Sequence, residues 1–209
     1  MELADSYCLV KIRHMRKIIL ITFFSVNLYC CSKKITSKET VMQKFDIKDF
    51  ENRKVGNELN ISENGVLTKR TESDKEYVER REESTSPFVS YTTYYKGIGT
   101  IKETFTTYYG FCIGQRIEYD NQGKVINTTN CDKDYSYSVY DLAKKMLAEF
   151  NIDILHRKQK FTVVRGYDAG YYYEVSIPLN DNGKSDTRVI RVNGTTGATI
   201  SVKIEPYTK

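Results

Sequence analysis

Apolar side chains at Val139, Leu142, Ala143, Met146, Leu147 and Phe150 recur at helical spacing. That pattern predicts one amphipathic helix whose single stripe is best buried against a sheet. Ser138 stands where an N-cap belongs, and Asp141, three residues on, completes a partial capping box. Lys144, Lys145 and Glu149 fall off the stripe, Asn151 is a helix stop, and Ile152, Ile154 and Leu155 supply an apolar exit. Beyond this point the period changes. Extended runs at 161–165, 171–179, 187–192 and 198–204 are separated by Asn/Gly-rich turns at 180–183 and 193–197. This predicts a helix followed by an antiparallel sheet with one face covered.

The chain upstream of the helix reads as hairpins. Asn64-Gly65 sits between two extended runs, a strong hairpin cue. Tyr95-x-x-x-Gly99-x-Ile101 recurs as Tyr119-x-x-x-Gly123-x-Val125, with Gly110-x-x-x-Gly114 between them. Short strands joined by glycine turns predict a meandering antiparallel sheet. Residues 69–83 are charged almost throughout and fit a solvated helix or an exposed strand; a solvated face is the favoured reading. Phe45 and Phe50 mark the first apolar patch, as a short helix or an ordered edge. The expected class is α+β: mostly antiparallel hairpins and meander, with one main amphipathic helix on a C-terminal antiparallel sheet.

Residues 18–29 form an apolar run preceded by Met15-Arg16-Lys17 and followed by Cys30-Cys31. A membrane-spanning helix needs roughly 20 apolar residues, so the run is too short to span. A basic start, an apolar middle and a small-residue boundary are the parts of an export signal. Its end, Leu28-Tyr29-Cys30-Cys31, resembles a bacterial lipobox, with Leu28 at −3, Cys30 at −1 and a bulky Tyr29 departing from the pattern at −2. The resemblance implies diacylation of the Cys31 thiol, cleavage before it, and acylation of the new amino group. Two or three chains give stable anchoring where one does not. Glu2 and Asp5 are out of place in a basic leader, which makes Met15 the expected start. The expected layout is an upstream extension and signal at 1–30, lipidated Cys31 and a tether to 44, a hairpin region at 45–134, and a helix-plus-sheet unit at 135–209. The tether, fully extended at about 3.3 Å per residue, reaches roughly 40 Å.

Removing residues 1–30 takes Lys11, Arg13, Arg16 and Lys17 away with Glu2 and Asp5, so much of the +5 net charge leaves with the signal. No remaining Lys/Arg block suggests a nucleic-acid partner. His14 is lost too, leaving His156 without a Gly-x-Ser-x-Gly elbow. Zinc sites of the usual Cys/His type lack ligands. Residues 181–186 lack calcium-loop spacing, and Asp132 and Asp134 have no spacing argument pairing them with Glu118 or Asp120 across a cleft. Catalysis, cofactors and a metal are therefore not expected. Cys112 and Cys131 form a disulfide candidate in an exported chain. A two-residue loop at Asn121-Gln122 sets them directly opposite; a bulge at Gly123 puts them on opposite faces. Tyrosine is abundant, 17 residues with no tryptophan. The bland reading is sheet packing; the functional one is a contact surface drawn from Tyr94, Tyr95, Tyr108, Tyr109, Tyr171 and Tyr173.

Gly110, Gly114, Tyr119, Asp120, Gly123 and Lys124 resemble a MORN-like repeat of the kind found in bacterial antitoxin-component proteins. Residues 188–200, with Thr196 and Gly197 matching and Asn193 in place of an Asp, resemble the closing hairpin of PepSY-type domains. The whole arrangement resembles lipoproteins of Gram-negative bacteria, a family that supplies no activity. These resemblances imply a non-catalytic envelope lipoprotein, anchored by its lipid on the periplasmic side of the outer membrane. Its expected partner is a protein, in an immunity- or antitoxin-like role; the alternative is a PepSY-like inhibitor or regulator of an envelope peptidase.

Overall fold

The computed structural model describes residues 44–157, 161–181 and 184–206. All of them fall within one compact unit, residues 40–209. The expected signal, Cys31 and nearly all of the tether lie outside the described residues.

A short helix, α1 (Ile47–Arg53), precedes seven strands: β1 (Glu58–Glu63), β2 (Val66–Glu72), β3 (Glu76–Glu83), β4 (Phe88–Tyr95), β5 (Ile101–Tyr108), β6 (Phe111–Tyr119) and β7 (Val125–Asn130). They pair in chain order as one antiparallel meander. The helix α2 (Val139–Phe150) follows, then β8 (Thr162–Tyr167), β9 (Tyr171–Asp181), β10 (Lys184–Asn193) and β11 (Thr199–Glu205), a second antiparallel meander. The described residues are thus mostly antiparallel strand, in two sheets, with two helices.

Local chemistry explains the turns and the caps. Asn64 and Gly65, both at positive φ, close β1 onto β2 with Glu63 opposite Val66, as a two-residue hairpin requires. The Ser138 hydroxyl accepts from the Asp141 N–H and donates to the Asp141 carboxylate, and Asn151 ends α2 in the left-handed conformation. Residues 69–83 are not a helix: they complete β2 and supply β3, where Tyr77 and Glu79 are buried. The reason is cross-strand pairing, because Arg70 stands opposite Glu79 and binds its carboxylate at 2.7 Å.

Two cores support the sheets. Under α1, Phe45 stacks on Tyr77 at 4.4 Å and contacts Phe50 and Tyr94, with Leu59 beside them. The larger core gathers Tyr108 and Ile113 from the first sheet, Val139, Leu142, Ala143 and Met146 from α2, and Val163, Tyr173, Val175, Ile190 and Val192 from the second sheet. It therefore draws on both sides of residue 134. Leu147, expected within the buried stripe, is 54% exposed; four stripe positions suffice to reach the core.

Candidate functional site

Two features of the second sheet stand out: a buried arginine that ties it to the first sheet, and an uncovered outer strand.

Arg165 lies in β8, in the otherwise apolar run Thr-Val-Val-Arg. Its side chain is only 10% exposed. A buried charge is tolerable only when paired and hydrogen-bonded. Here the guanidinium donates to the carbonyls of Cys112 (3.0 Å) and Cys131 (3.1 Å), to the Tyr173 hydroxyl (3.2 Å) and to the Asp132 carboxylate. Its Nε has no partner. Three rings surround it, Tyr135 at 4.2 Å, Phe111 at 4.7 Å and Tyr173 at 5.4 Å. The second oxygen of Asp132 accepts from the Gly114 N–H at 2.7 Å. The Tyr173 hydroxyl donates to the Tyr137 carbonyl (2.8 Å), and the Tyr135 hydroxyl donates to the Gly166 carbonyl (3.1 Å). Burial pushes the Tyr173 and Tyr135 phenols up, and the Arg165 charge pulls both partly back. This is a joint between β6, the segment after β7, and the second sheet.

A disulfide links Cys112 to Cys131 in that joint, with Cα atoms 5.7 Å apart. Neither simple hairpin register describes how they meet. Asp120 closes the turn onto Lys124, giving Tyr119 opposite Val125. A bulge at Ile126 then shifts the register to Glu118 opposite Asn127. The ladder ends at Gln115 and Asn130, and the Cys131 N–H donates to the carbonyl of Gly114, which is held at positive φ. Successive bulges restore the face that one bulge would have reversed.

The second sheet's buried row runs Val163, Val175, Ile190, Val202, each directly opposite the next. The first three have no exposure, yet Val202 is 50% exposed. Ile204, on the same side of β11, is 62% exposed; Ile200 is the extra residue of a bulge opposite Val192 and lies, 54% exposed, with Tyr172 and Arg191 on the other face. Among the described residues β11 pairs only with β10, so its outer N–H and C=O groups face outward as an open edge. The closing turn is firm: the Asn193 side chain accepts from the Thr195 and Thr196 N–H groups. Tyr135 and Tyr137 rest so close to Gly194 and Gly197 that a Cβ there would sit 2.6 Å and 2.3 Å from a ring.

The tyrosines weighed as a contact surface against sheet packing are not gathered on one face. Tyr94, Tyr108 and Tyr173 are core residues, and that reading is corrected for them: each faces the covered side of its sheet. Burial pushes the Tyr94 phenol up to about 12, with Glu79 adding to the shift. Tyr109, half-buried against Phe161, is likewise raised to about 12 by burial. Tyr108 and Tyr109 both donate to the Ile154 carbonyl. Tyr95 and Tyr171 are partly exposed but belong to different sheets. His156 is exposed, 2.7 Å from Asp153. Among the described residues no cluster of His, Cys, Asp and Glu could hold a metal ion, and no helix is long and apolar enough to cross a membrane.

Sequence reasoning missed Arg165 and undervalued β11. A lone arginine in an apolar strand was the available signal for the first. Alternation of Ile200, Val202 and Ile204 was the signal for the second, but alternation does not reveal which rows stay uncovered. Comparison with protein-family models, with curated proteins and with solved structures found no match.

Proposed function

We propose that this chain is a non-catalytic envelope lipoprotein, anchored through Cys31, that binds a protein partner by accepting an extended strand along β11. The observation that carries the reading is the open β11 edge with Val202 and Ile204 exposed on one side. Main-chain hydrogen bonds to an exposed edge supply affinity, and alternate side chains supply selectivity. An added strand would extend the Val163–Val175–Ile190–Val202 row and bury its last member. The apolar alternation asks for a partner strand with apolar residues at every second position. An immunity- or antitoxin-like role under the outer membrane fits such a partner.

The finer arrangement we propose is a helix-on-sheet unit of PepSY-like type, in which α2 covers the first three strands of the second sheet and leaves β11 bare. The shared core of α2 with β8, β9 and β10 supports it. On that reading the partner is an envelope peptidase, and the bare strand is where it is held.

The test is affinity capture from solubilised membranes with the wild-type chain and a Val202→Lys/Ile204→Lys double variant. A partner retained by the first and lost from the second supports the reading; equal retention rejects it. For the anchor, labelling with a fatty-acid analogue is expected for the wild type and not for Cys31→Ser.

A further inference from the structure

The hydrogen bonds of β10 show which main-chain groups β11 turns outward. Asn193 of β10 faces β11: its N–H donates to the Ala198 carbonyl (2.8 Å), and its carbonyl accepts from the Gly197 N–H (2.9 Å). Gly194, the next residue, faces β9, its N–H donating to the Tyr171 carbonyl (2.8 Å). In an antiparallel ladder successive residues turn their N–H and C=O groups to opposite sides. Counting back along β10, Arg191, Val189 and Thr187 therefore face β11, and their opposites Ser201, Lys203 and Glu205 direct theirs at β10. Val202 and Ile204 are left with both main-chain groups pointing outward. This segment is closed at one end by Ile200, the extra residue of the bulge. At the other end stands Pro206, which has no N–H. The two stops lie equally far from Lys203.

We propose that the strand β11 accepts is β11 of a second copy of this chain, paired antiparallel about a two-fold axis at Lys203. This rests on the strand-addition reading above and names the resident occupant, which a foreign strand must displace. A two-fold pairing that keeps like faces together must be centred on a residue. Centring on Ile204 sets Val202 against Pro206 and leaves one Val202 carbonyl without a donor. Centring on Val202 sets Ile204 against the bulge at Ile200. Only centring on Lys203 pairs Val202 with Ile204 of the second copy, twice over, and satisfies every outward N–H and C=O.

The side chains fit the same register. β11 itself has apolar residues at every second position, and two Val202–Ile204 pairs would carry the row that includes Ile190 across the junction. On the opposite face, exposed Lys203 meets its own counterpart. Each is flanked by Glu205 of its own strand and, on the diagonal, by Glu205 of the second copy, within reach of a long side chain. Two ammonium groups and two carboxylates cancel. Like charges directly opposite are still destabilising, which keeps the pairing weak enough to be displaced. Anchorage of both copies in one bilayer raises their effective concentration.

The test is disulfide trapping of the purified full chain reconstituted in phosphatidylcholine vesicles, with copper–phenanthroline as oxidant. In the register centred on Lys203, the two residues 203 meet at a non-hydrogen-bonded position with Cα atoms about 4.5 Å apart. That lies inside the disulfide range of about 4.4–6.8 Å. Two residues 201, or two residues 205, are displaced from each other by about 13 Å at ~3.4 Å per residue. Lys203→Cys is expected to give a disulfide-linked dimer in at least tenfold higher yield than Ser201→Cys or Glu205→Cys alone. Mixed Ser201→Cys and Glu205→Cys chains are expected to join to each other. Adding Val202→Lys to Lys203→Cys should lower the yield at least tenfold. A monomeric Lys203→Cys chain, equal yields at the three positions, or a dimer indifferent to Val202→Lys would overturn the second copy as occupant. If trapping fails while a foreign partner is still lost from Val202→Lys/Ile204→Lys, strand addition stands without the dimer; failure of both rejects the open-edge reading itself.

Discussion

The two sheets end on edges of opposite chemistry. The first sheet closes on β1, with Glu58, Asn60, Ser62 and Glu63, and on β7, whose six positions are all exposed and whose last four are Asn127, Thr128, Thr129 and Asn130. Polar and charged residues on an edge discourage another strand from pairing there. The second sheet ends on β8 and on β11, and on β11 Val202 and Ile204 share one side with Lys203 and Glu205 on the other. Pro206 follows directly and lacks an N–H, so any added strand is confined to the span of β11. Strand number does not distinguish the sheets as binding elements. The difference lies in whether the row reaching the edge is covered.

The largest effect that would sharpen this contrast concerns the joint. Arg165→Ala leaves Asp132 without its cation and the Cys112 and Cys131 carbonyls without a donor. Breaking a fully buried pair costs about 3–5 kcal/mol, and the 35% exposure of Asp132 puts this loss at or below the lower end of that range. Denaturant unfolding should show that loss. Hydrogen exchange should rise around 111–114, 131–138 and 162–175 and stay unchanged at 58–72. Uniform loss of protection would mean that the two ends are not distinguished by the joint. Reducing the disulfide comes next. The bridged residues are 19 apart, and the chain-entropy contribution for such a loop is about 3 kcal/mol. Cys112→Ser/Cys131→Ser should lower stability by that amount.

Alkaline pH separates the two cores. Tyr94 lies in the first and Tyr109 beside the second, each raised by burial to about 12. Below about pH 10 both folded and unfolded chains hold these protons, and stability is unaffected. Above it the unfolded chain ionises first, so stability falls as pH rises toward 12. Each tyrosine contributes a loss of about 2–3 kcal/mol at about 1.4 kcal/mol per pKa unit. Tyr94→Phe should remove the first core's share of the alkaline transition, and Tyr109→Phe only part of the second's, because burial also raises Tyr108 and Tyr173 there. If neither variant shifts the transition, burial of these phenols is not its cause.

Much of this architecture was legible in the residues because local chemistry decides it. Asn64-Gly65 dictates a two-residue hairpin, Ser138 with Asp141 starts α2, and Asn151 stops it. Residues 69–83 were ambiguous because charge says nothing about period; Arg70 opposite Glu79 resolves it only once β2 and β3 are paired. The Cys112–Cys131 register failed for a similar reason. Gly123 signals a turn, but the bulge at Ile126 is a non-local consequence of pairing with β6. Tyrosines looked alike in sequence, and only the fold separates Tyr94, Tyr108 and Tyr173 in the cores from Tyr95 and Tyr171 nearer the surface. The β11 alternation was visible, but which side chains of that strand stay exposed was not.

The smallest effect on folding is expected where binding is most affected. Val202→Lys/Ile204→Lys alters exposed side chains, and such changes stay within about 0.5 kcal/mol of wild-type stability. Partner affinity should nonetheless fall at least tenfold, or about 1.4 kcal/mol. Thr128→Lys on β7 should alter neither quantity. A β7 variant that weakened binding equally would erase the contrast between the edges.

Photo-crosslinking in intact envelopes tests the strand-addition claim most directly. A benzoylphenylalanine replaces Lys203 on β11, Thr129 on β7 or Asn60 on β1 in the full-length chain. The account predicts a discrete protein adduct from position 203, abolished by Val202→Lys in the same chain, and none from positions 129 and 60. Adducts of equal yield at all three positions, or a 203 adduct that survives Val202→Lys, would contradict it.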